Sequence, residues 1–297
     1  MITVIIPTYN RSDIVCRTIP KYLVDPRVSS IVVVDDGSTD DTGDRIAALQ
    51  QGDARIRYLR NERRQGSVIA RNRGLGEVRT PYFLMTDDDT YPDSDFFPVL
   101  LAAMDGGGRD IVAVRKVFLN ERGDEQLAKR NGSRISPVNY DRLSFQFNTL
   151  RAGNTTTVPG TYFAKQVVAA NVRYDVSYQG SAWREETDFG LTAHLRGFKI
   201  YFEPKAVVFE LAKTDHRGGQ WERPLATYVV SAIRNNWYFL KKFEQPLRRE
   251  NLLRTAIWRL QGRFILATSM FFLIVPAKQL LGPRGVMLGR RILGRTP

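Results

Sequence analysis

The chain has 297 residues, 43% hydrophobic and 25% charged, an ordinary globular balance that excludes wholesale disorder and leaves ample material for a buried core. Its one cysteine, Cys16, excludes an internal disulfide and any cysteine-rich metal site, and reads as a small buried apolar residue in a reducing compartment. The net charge of +13 is uneven: residues 241–297 carry 12 Lys and Arg against 2 Asp and Glu, so the basic character belongs to the tail.

In chain order, Ile2 to Pro7 is a short apolar, β-branched run that suits a strand buried on both faces, and reads as a first strand rather than a leader. Residues 11–24 carry Ile14, Val15, Ile19, Tyr22 and Leu23 at helical spacing, and Ser30 to Val34 is a second buried strand. A helix over 42–51, a strand over 56–59, a helix over 68–76 and a strand over 82–86 follow. This alternation predicts βαβ units, whose right-handed crossovers bring the C-terminal ends of the strands to one edge of a sheet, where open α/β folds bind ligands. Beyond it, 111–118 reads as a strand, 121–148 as polar and irregular, Gly160 to Ala164 as the lead into a short helix, and 185–196 as a helix closed by Gly197. Lys199–Phe202 and Ala206–Phe209 read as two further short strands.

Polar clusters follow the strands directly. Asp87, Asp88 and Asp89 crowd like charges, which costs free energy unless a cation offsets it, and hard divalent ions such as Mg2+ or Mn2+ take such oxygen ligands. In an extended segment Asp87 and Asp89 point the same way, so one could hold a ribose or water and the other a metal; the alternative is a solvated acidic turn. Asp35 and Asp36 could accept hydrogen bonds from a base or ribose, or belong to an ordinary Asp-Gly-Ser turn. Arg71, on a helix starting at the same edge, could contact base or phosphates, or be a surface charge. Glu185 and Glu186 open a helix, where the macrodipole favours acids, yet a carboxylate there also suits a general base facing a cleft. Trp183 just before them could stack on a sugar. His216 could complete a metal site or sit on a surface loop, and His194 reads as structural.

Taken together, residues 2–217 resemble the family 2 glycosyltransferases, which are inverting enzymes of GT-A fold. The resemblance rests on Val4 to Arg11, Val33 to Thr42, Ala70 to Gly74, Asp87 to Asp89 with Pro92, and Glu185 to Leu191 with Arg196 to Ile200, five motifs in order. It implies a Rossmann-like mixed α/β sheet flanked by helices, a nucleotide-sugar donor, a UDP-sugar first among them, and Mg2+ or Mn2+. Carried over by position, it implies nucleotide contacts from Thr8, Asp36 and Arg71, metal and diphosphate binding through Asp87 and Asp89, and a base at Glu186 or Glu185. The full set of candidates adds Pro7, Tyr9, Asp35 and Asp88 to the donor contacts, His216 to the metal, and Trp183 and Gly160 as acceptor contacts. The family more often has Asp where this chain has Glu186; the choice between the two stays open, with Glu186 favoured.

The expected organisation is a catalytic domain over 1–240 and a basic amphipathic C-terminal region over 241–297. Leu252, Leu253, Ala256, Ile257, Leu260 and Phe264 share one helical arc bordered by Arg254, Arg259 and Arg263, a pattern suited to an anionic membrane surface or to packing on the catalytic domain. The apolar run from Phe264 to Ala277 has 14 residues and is too short to span a bilayer. The expectation is a cytoplasmic protein on the inner face of the membrane, acting on a glycan or lipid-linked acceptor. Two rivals are a nucleotidyltransferase of related fold, disfavoured by the lack of an early Gly-rich phosphate loop, and a nucleic-acid-binding protein, disfavoured because no recognition motif accompanies the charge.

Overall fold

The computed structural model describes residues 1–119, 123–133, 136–212 and 224–269. The first half alternates as its sequence predicts: β1 (Ile2–Thr8), α1 (Ser12–Leu23), β2 (Val28–Asp35), α2 (Thr42–Gly52), β3 (Ile56–Arg60), α3 (Ser67–Gly76) and β4 (Tyr82–Met85). Then come β5 (Thr90–Pro92), α4 (Phe96–Asp105), β6 (Ile111–Phe118), α5 (Glu125–Arg130), the small hairpin β7 (Val138–Asn139) and β8 (Ser144–Phe145), and β9 (Gly153–Thr155). The chain continues through β10 (Tyr162–Lys165), α6 (Gln166–Asn171), α7 (Glu185–Leu195), β11 (Ile200–Glu210) and α8 (Leu225–Arg249), and a further helical stretch covers 257–269.

The sheet runs β3-β2-β1-β4-β10-β6-β11-β5, with β9 on β11. β1 to β4 are mutually parallel, while β10 enters antiparallel between β4 and β6. Side chains alternate across β1: Val4 and Ile6 join one core with α1, α2 and α4, whereas Ile5 joins the other with α3, α6, α7 and α8. Both faces are therefore covered, which explains why β1 and β2 read as unbroken apolar runs.

Three expectations need correction. Lys199–Phe202 and Ala206–Phe209 are parts of one strand, β11, whose register on β6 slips between Glu203 and Val207, absorbing Pro204. The boundary at 240 falls inside α8, and Phe239 and Leu240 before it share one core with Phe243 and Leu247 after it. The arc at 252–264 is turned inward: Leu253 and Leu260 are buried in that same core, with Leu252 and Ile257 packed against it. The chain breaks helix between Arg249 and 257, where Asn251 takes a left-handed φ of 58°. Among the described residues no helix is long and apolar enough to cross a membrane.

Candidate active site

The C-terminal ends of β1, β2 and β4 meet the first turn of α7 around a cavity of about 330 Å3, lined on one side by Pro7, Thr8, Tyr9, Asp36, Arg71 and the three aspartates, on the other by Trp183, Glu185 and Glu186. Residues far apart in sequence are tied here by hydrogen bonds. Thr8 Oγ1 donates to Asp88 Oδ2 at 2.8 Å. Asp36 accepts from Asn61 Nδ2 and from the backbone of Gln65 and Gly66, which fixes the loop that starts α3. Gly37 makes the turn possible: its φ is +79°, and a Cβ there would meet the Arg63 backbone at 2.7 Å. Asp35 is different. It is fully buried, accepts from Ser38 N and Tyr58 Oη, and does not line the cavity. Tyr9 lies under the Arg64 guanidinium, 4.0 Å away.

Charge dominates the floor. Asp87 is held by Arg71 Nη2 at 2.7 Å and Lys116 Nζ at 3.1 Å, and Lys116 also reaches Glu210 at 2.5 Å. Arg11 bridges Asp88 at 2.6 Å and Asp89 at 3.1 Å. Arg71 further reaches Glu186 at 3.2 Å and Glu185 at 3.7 Å. Six carboxylates thus share three cations, and at four of them burial competes with the neighbouring charges. At Asp87 burial is outweighed by Lys116 and Arg71, and its pKa falls to about 2. At Asp88 burial prevails over Arg11, with Asp89 adding repulsion, and the value rises to about 7. Burial against Lys116 lifts Glu210 to about 7, and burial against Arg71 lifts Glu185 to about 8.

The two candidate bases separate by environment. The Glu185 side chain is 7% exposed and takes the Ser67 hydroxyl, whereas Glu186 is 33% exposed and faces the cavity. Gly160 lies where Glu186 and Asp87 approach each other: a Cβ built on it would sit 3.1 Å from Glu186 Oε1 and 2.7 Å from Asp87 Oδ2. The turn before α7 is strained, since Ala182 and Arg184 take φ values of 51° and 80°. The helix itself is anchored from behind: buried Asp188 accepts from Tyr178 Oη and from Lys242 Nζ of α8.

The donor set is all oxygen and carries excess negative charge, which fits a hard divalent cation and disfavours a soft one. Asp87 and Asp89 would hold it with Glu210 beside them. Among the described residues no three such side chains surround one point. His216 lies outside the described residues. Lys116, Arg11, Arg64, Ser67, Arg184, Glu210 and Tyr228 also line the cavity; sequence reasoning did not single them out. Arg11 alone left a trace, as the last residue of the first strand-and-loop motif. His194, as read, is structural, bonded to Glu250 at 2.8 Å.

Residues 3–168 match the sequence profile of Glycosyl transferase family 2. The chain belongs to this family. It is 30% identical over 120 residues to the succinoglycan biosynthesis protein ExoU of Rhizobium meliloti (strain 1021), covering 40% of this chain and 34% of that protein. Across curated relatives the chain spans only a third to about half of their length. The fold is shared with S. aureus TarS 1–349 in complex with UDP-GlcNAc, at 17% identity and TM-score 0.56 over 80% of this chain and 66% of that one. It is shared also with the mannosyltransferase PcManGT from Pyrobaculum calidifontis in complex with GDP-Man and Mn2+, at 15% identity and TM-score 0.56 over 100% and 81%. The mixed sheet flanked by helices is thus the GT-A fold.

Proposed function

We propose that this family 2 member is an inverting, divalent-metal-assisted glycosyltransferase that moves a sugar from a nucleoside-diphosphate donor to a hydroxyl of a glycan or lipid-linked acceptor. The observation that carries the reading is the meeting of Asp87 and Glu186 at Gly160 from opposite sides of one cleft. Glu186 takes the acceptor proton as its oxygen forms the new bond to the anomeric carbon. The bond from that carbon to the diphosphate breaks, on the side of Asp87, Arg71 and Lys116. Asp87 and Asp89 would hold a divalent cation, which would supply charge stabilisation to the diphosphate. Glu185, buried and bonded to Ser67, positions the first turn of α7.

UDP-GlcNAc on TarS, and GDP-Man with Mn2+ on PcManGT, support a nucleotide-sugar donor and a divalent ion, with a UDP-sugar as the first donor to test. A relative in succinoglycan biosynthesis supports a role in cell-surface polysaccharide or glycolipid synthesis. Peripheral contact with the inner face of the cell membrane stays part of the proposal, but through other residues than the arc: Trp258 and Leu266 are 64% and 63% exposed, with Arg259 and Arg263 beside them. The deciding experiment is product analysis with a nucleotide-sugar panel and Mn2+. Free nucleoside diphosphate is expected, lost in excess chelator and reduced by a factor of about 10^2–10^4 in Glu186→Gln. Pyrophosphate release would instead establish a nucleotidyltransferase, and a Glu186→Gln variant of full activity would remove the base from Glu186.

A further inference from the structure

The acceptor half of the cavity contains a cation that the mechanism above does not use. Arg184 lines the cavity yet is only 8% exposed. Among the described residues no carboxylate forms an ion pair with it, in contrast to Arg11, Arg71 and Lys116. Its Nε donates to Asn236 Oδ1 at 2.9 Å and its Nη2 reaches the Leu143 carbonyl at 3.4 Å; Nη1 has no hydrogen-bond partner, and it is not sealed from solvent. The guanidinium is clamped over the Phe145 ring at 4.5 Å, with Trp183 at 5.4 Å. A buried charge without a counter-ion is costly, and burial lowers the pKa of Arg184 to about 10. The chain nevertheless holds it in a left-handed backbone conformation, φ 80°, directly before the two glutamates.

We infer that Arg184 binds an oxyanion carried by the acceptor, next to the hydroxyl that Glu186 deprotonates. This rests on the glycosyltransferase reading and narrows its acceptor class. The side of the cavity decides against the donor: Asp87, Asp88 and Asp89 pair with Arg11, Arg71 and Lys116, whereas none of these three aspartates forms an ion pair with Arg184, which directly precedes the two glutamates of α7. Trp183 and Tyr228 line the same cavity and offer apolar surface to a sugar ring. A cavity-lining arginine with a guanidinium N–H left without a partner, held over an aromatic ring, is suited to a phosphate or a carboxylate. Two sources share that chemistry, a phosphate linking the acceptor to a lipid or sugar and a uronic acid within a glycan.

The test uses the full chain and calorimetric titration. UDP, GDP and dTDP with Mn2+ are titrated first, and the tightest binder then fills the donor half. Inorganic phosphate and glucuronate follow separately, each into wild type and Arg184→Gln, a variant that can still pair with Asn236. At least one anion is expected to bind, with affinity lowered about tenfold or more by Arg184→Gln while nucleotide affinity stays within about twofold. Phosphate alone identifies a phosphate-bearing acceptor, glucuronate alone an acidic glycan. Binding of neither anion, or undiminished binding to the variant, overturns the inference. If no nucleotide binds, it is the donor reading that fails, and dependence of anion binding on Arg184 is still read with the cleft empty. Should Arg184→Gln not fold, Arg184→Lys, which lacks the planar fork, is expected to lose about threefold or more; wild-type affinity in that variant overturns the assignment.

Discussion

Replacing Arg71 by Met removes the cation on which the two walls of the cleft converge. Its guanidinium is 5% exposed and reaches Asp87, Glu185 and Glu186. Breaking a buried ion pair by deleting one partner costs about 3–5 kcal/mol, because the remaining charges stay buried. Two features put this case near the lower end: Lys116 still holds Asp87, and Glu185, whose burial already lifts it to about 8, takes a proton readily. A loss of roughly 3 kcal/mol corresponds to a fall in Tm of about 6–12 °C for a chain of this order of size. The loss must depend on pH with a definite sign. Without Arg71 the carboxylates bind protons more tightly in the fold, so the variant gains relative to wild type as the pH falls, and the penalty is larger at pH 8 than at pH 6. Thermal unfolding followed by circular dichroism at both values measures it. A Tm within about 2 °C of wild type at pH 8, or a larger loss at pH 6, would refute this account of the charge network.

Gly160→Ala puts a methyl group 2.7 Å from Asp87 Oδ2, which Lys116 holds in place while Arg71 holds Oδ1. Displacement of that carboxylate should lower turnover by about 10–100-fold for a stability cost of roughly 1–3 kcal/mol; steady-state nucleoside diphosphate release with unchanged turnover would show that the contact relaxes freely. Glu185→Gln tests the raised carboxyl. Because the fold binds this proton more tightly than the unfolded chain does, the stability it contributes is present below its ordinary value of 4.5 and is lost as the pH rises to about 8. The variant should therefore gain on wild type across that window by up to about 1.4 kcal/mol per pH unit, and a flat difference in urea unfolding free energy would contradict it. Trp258→Ser with Leu266→Ser should weaken sedimentation with vesicles containing phosphatidylglycerol by about tenfold, and unchanged sedimentation would place the contact elsewhere.

The N-terminal half was legible because its signals are local. Apolar runs ending in Thr8, Asp35 or Asp87 specify strands buried on both faces with polar ends at one edge. Which of two neighbouring residues faces the cavity is not a local property, so Asp35 and Asp36 read alike although Asp35 binds Tyr58 on the far side. Lys116 and Glu210 were invisible for a topological reason. Lys116 lies in β6 and Glu210 ends β11, and Lys116 reaches Asp87 across the intervening β10 while pairing with Glu210 beside it. Amphipathicity over 252–264 was evident, but a helical arc carries no record of what covers it. Here α7 and α8 do, with Phe239, Phe243 and Leu247 in the same core.

The anchoring of α7 sets how much chain the cleft requires. Asp188 is neutralised by Lys242, and Arg184 is oriented by Asn236, which itself donates to Gln261. A fragment cut at residue 240 would keep all five sequence motifs and still lose the counter-charge of Asp188, two residues after Glu186. The shortest piece able to hold Glu186 in register therefore extends past Gln261, and the C-terminal helices count as scaffolding of the cleft.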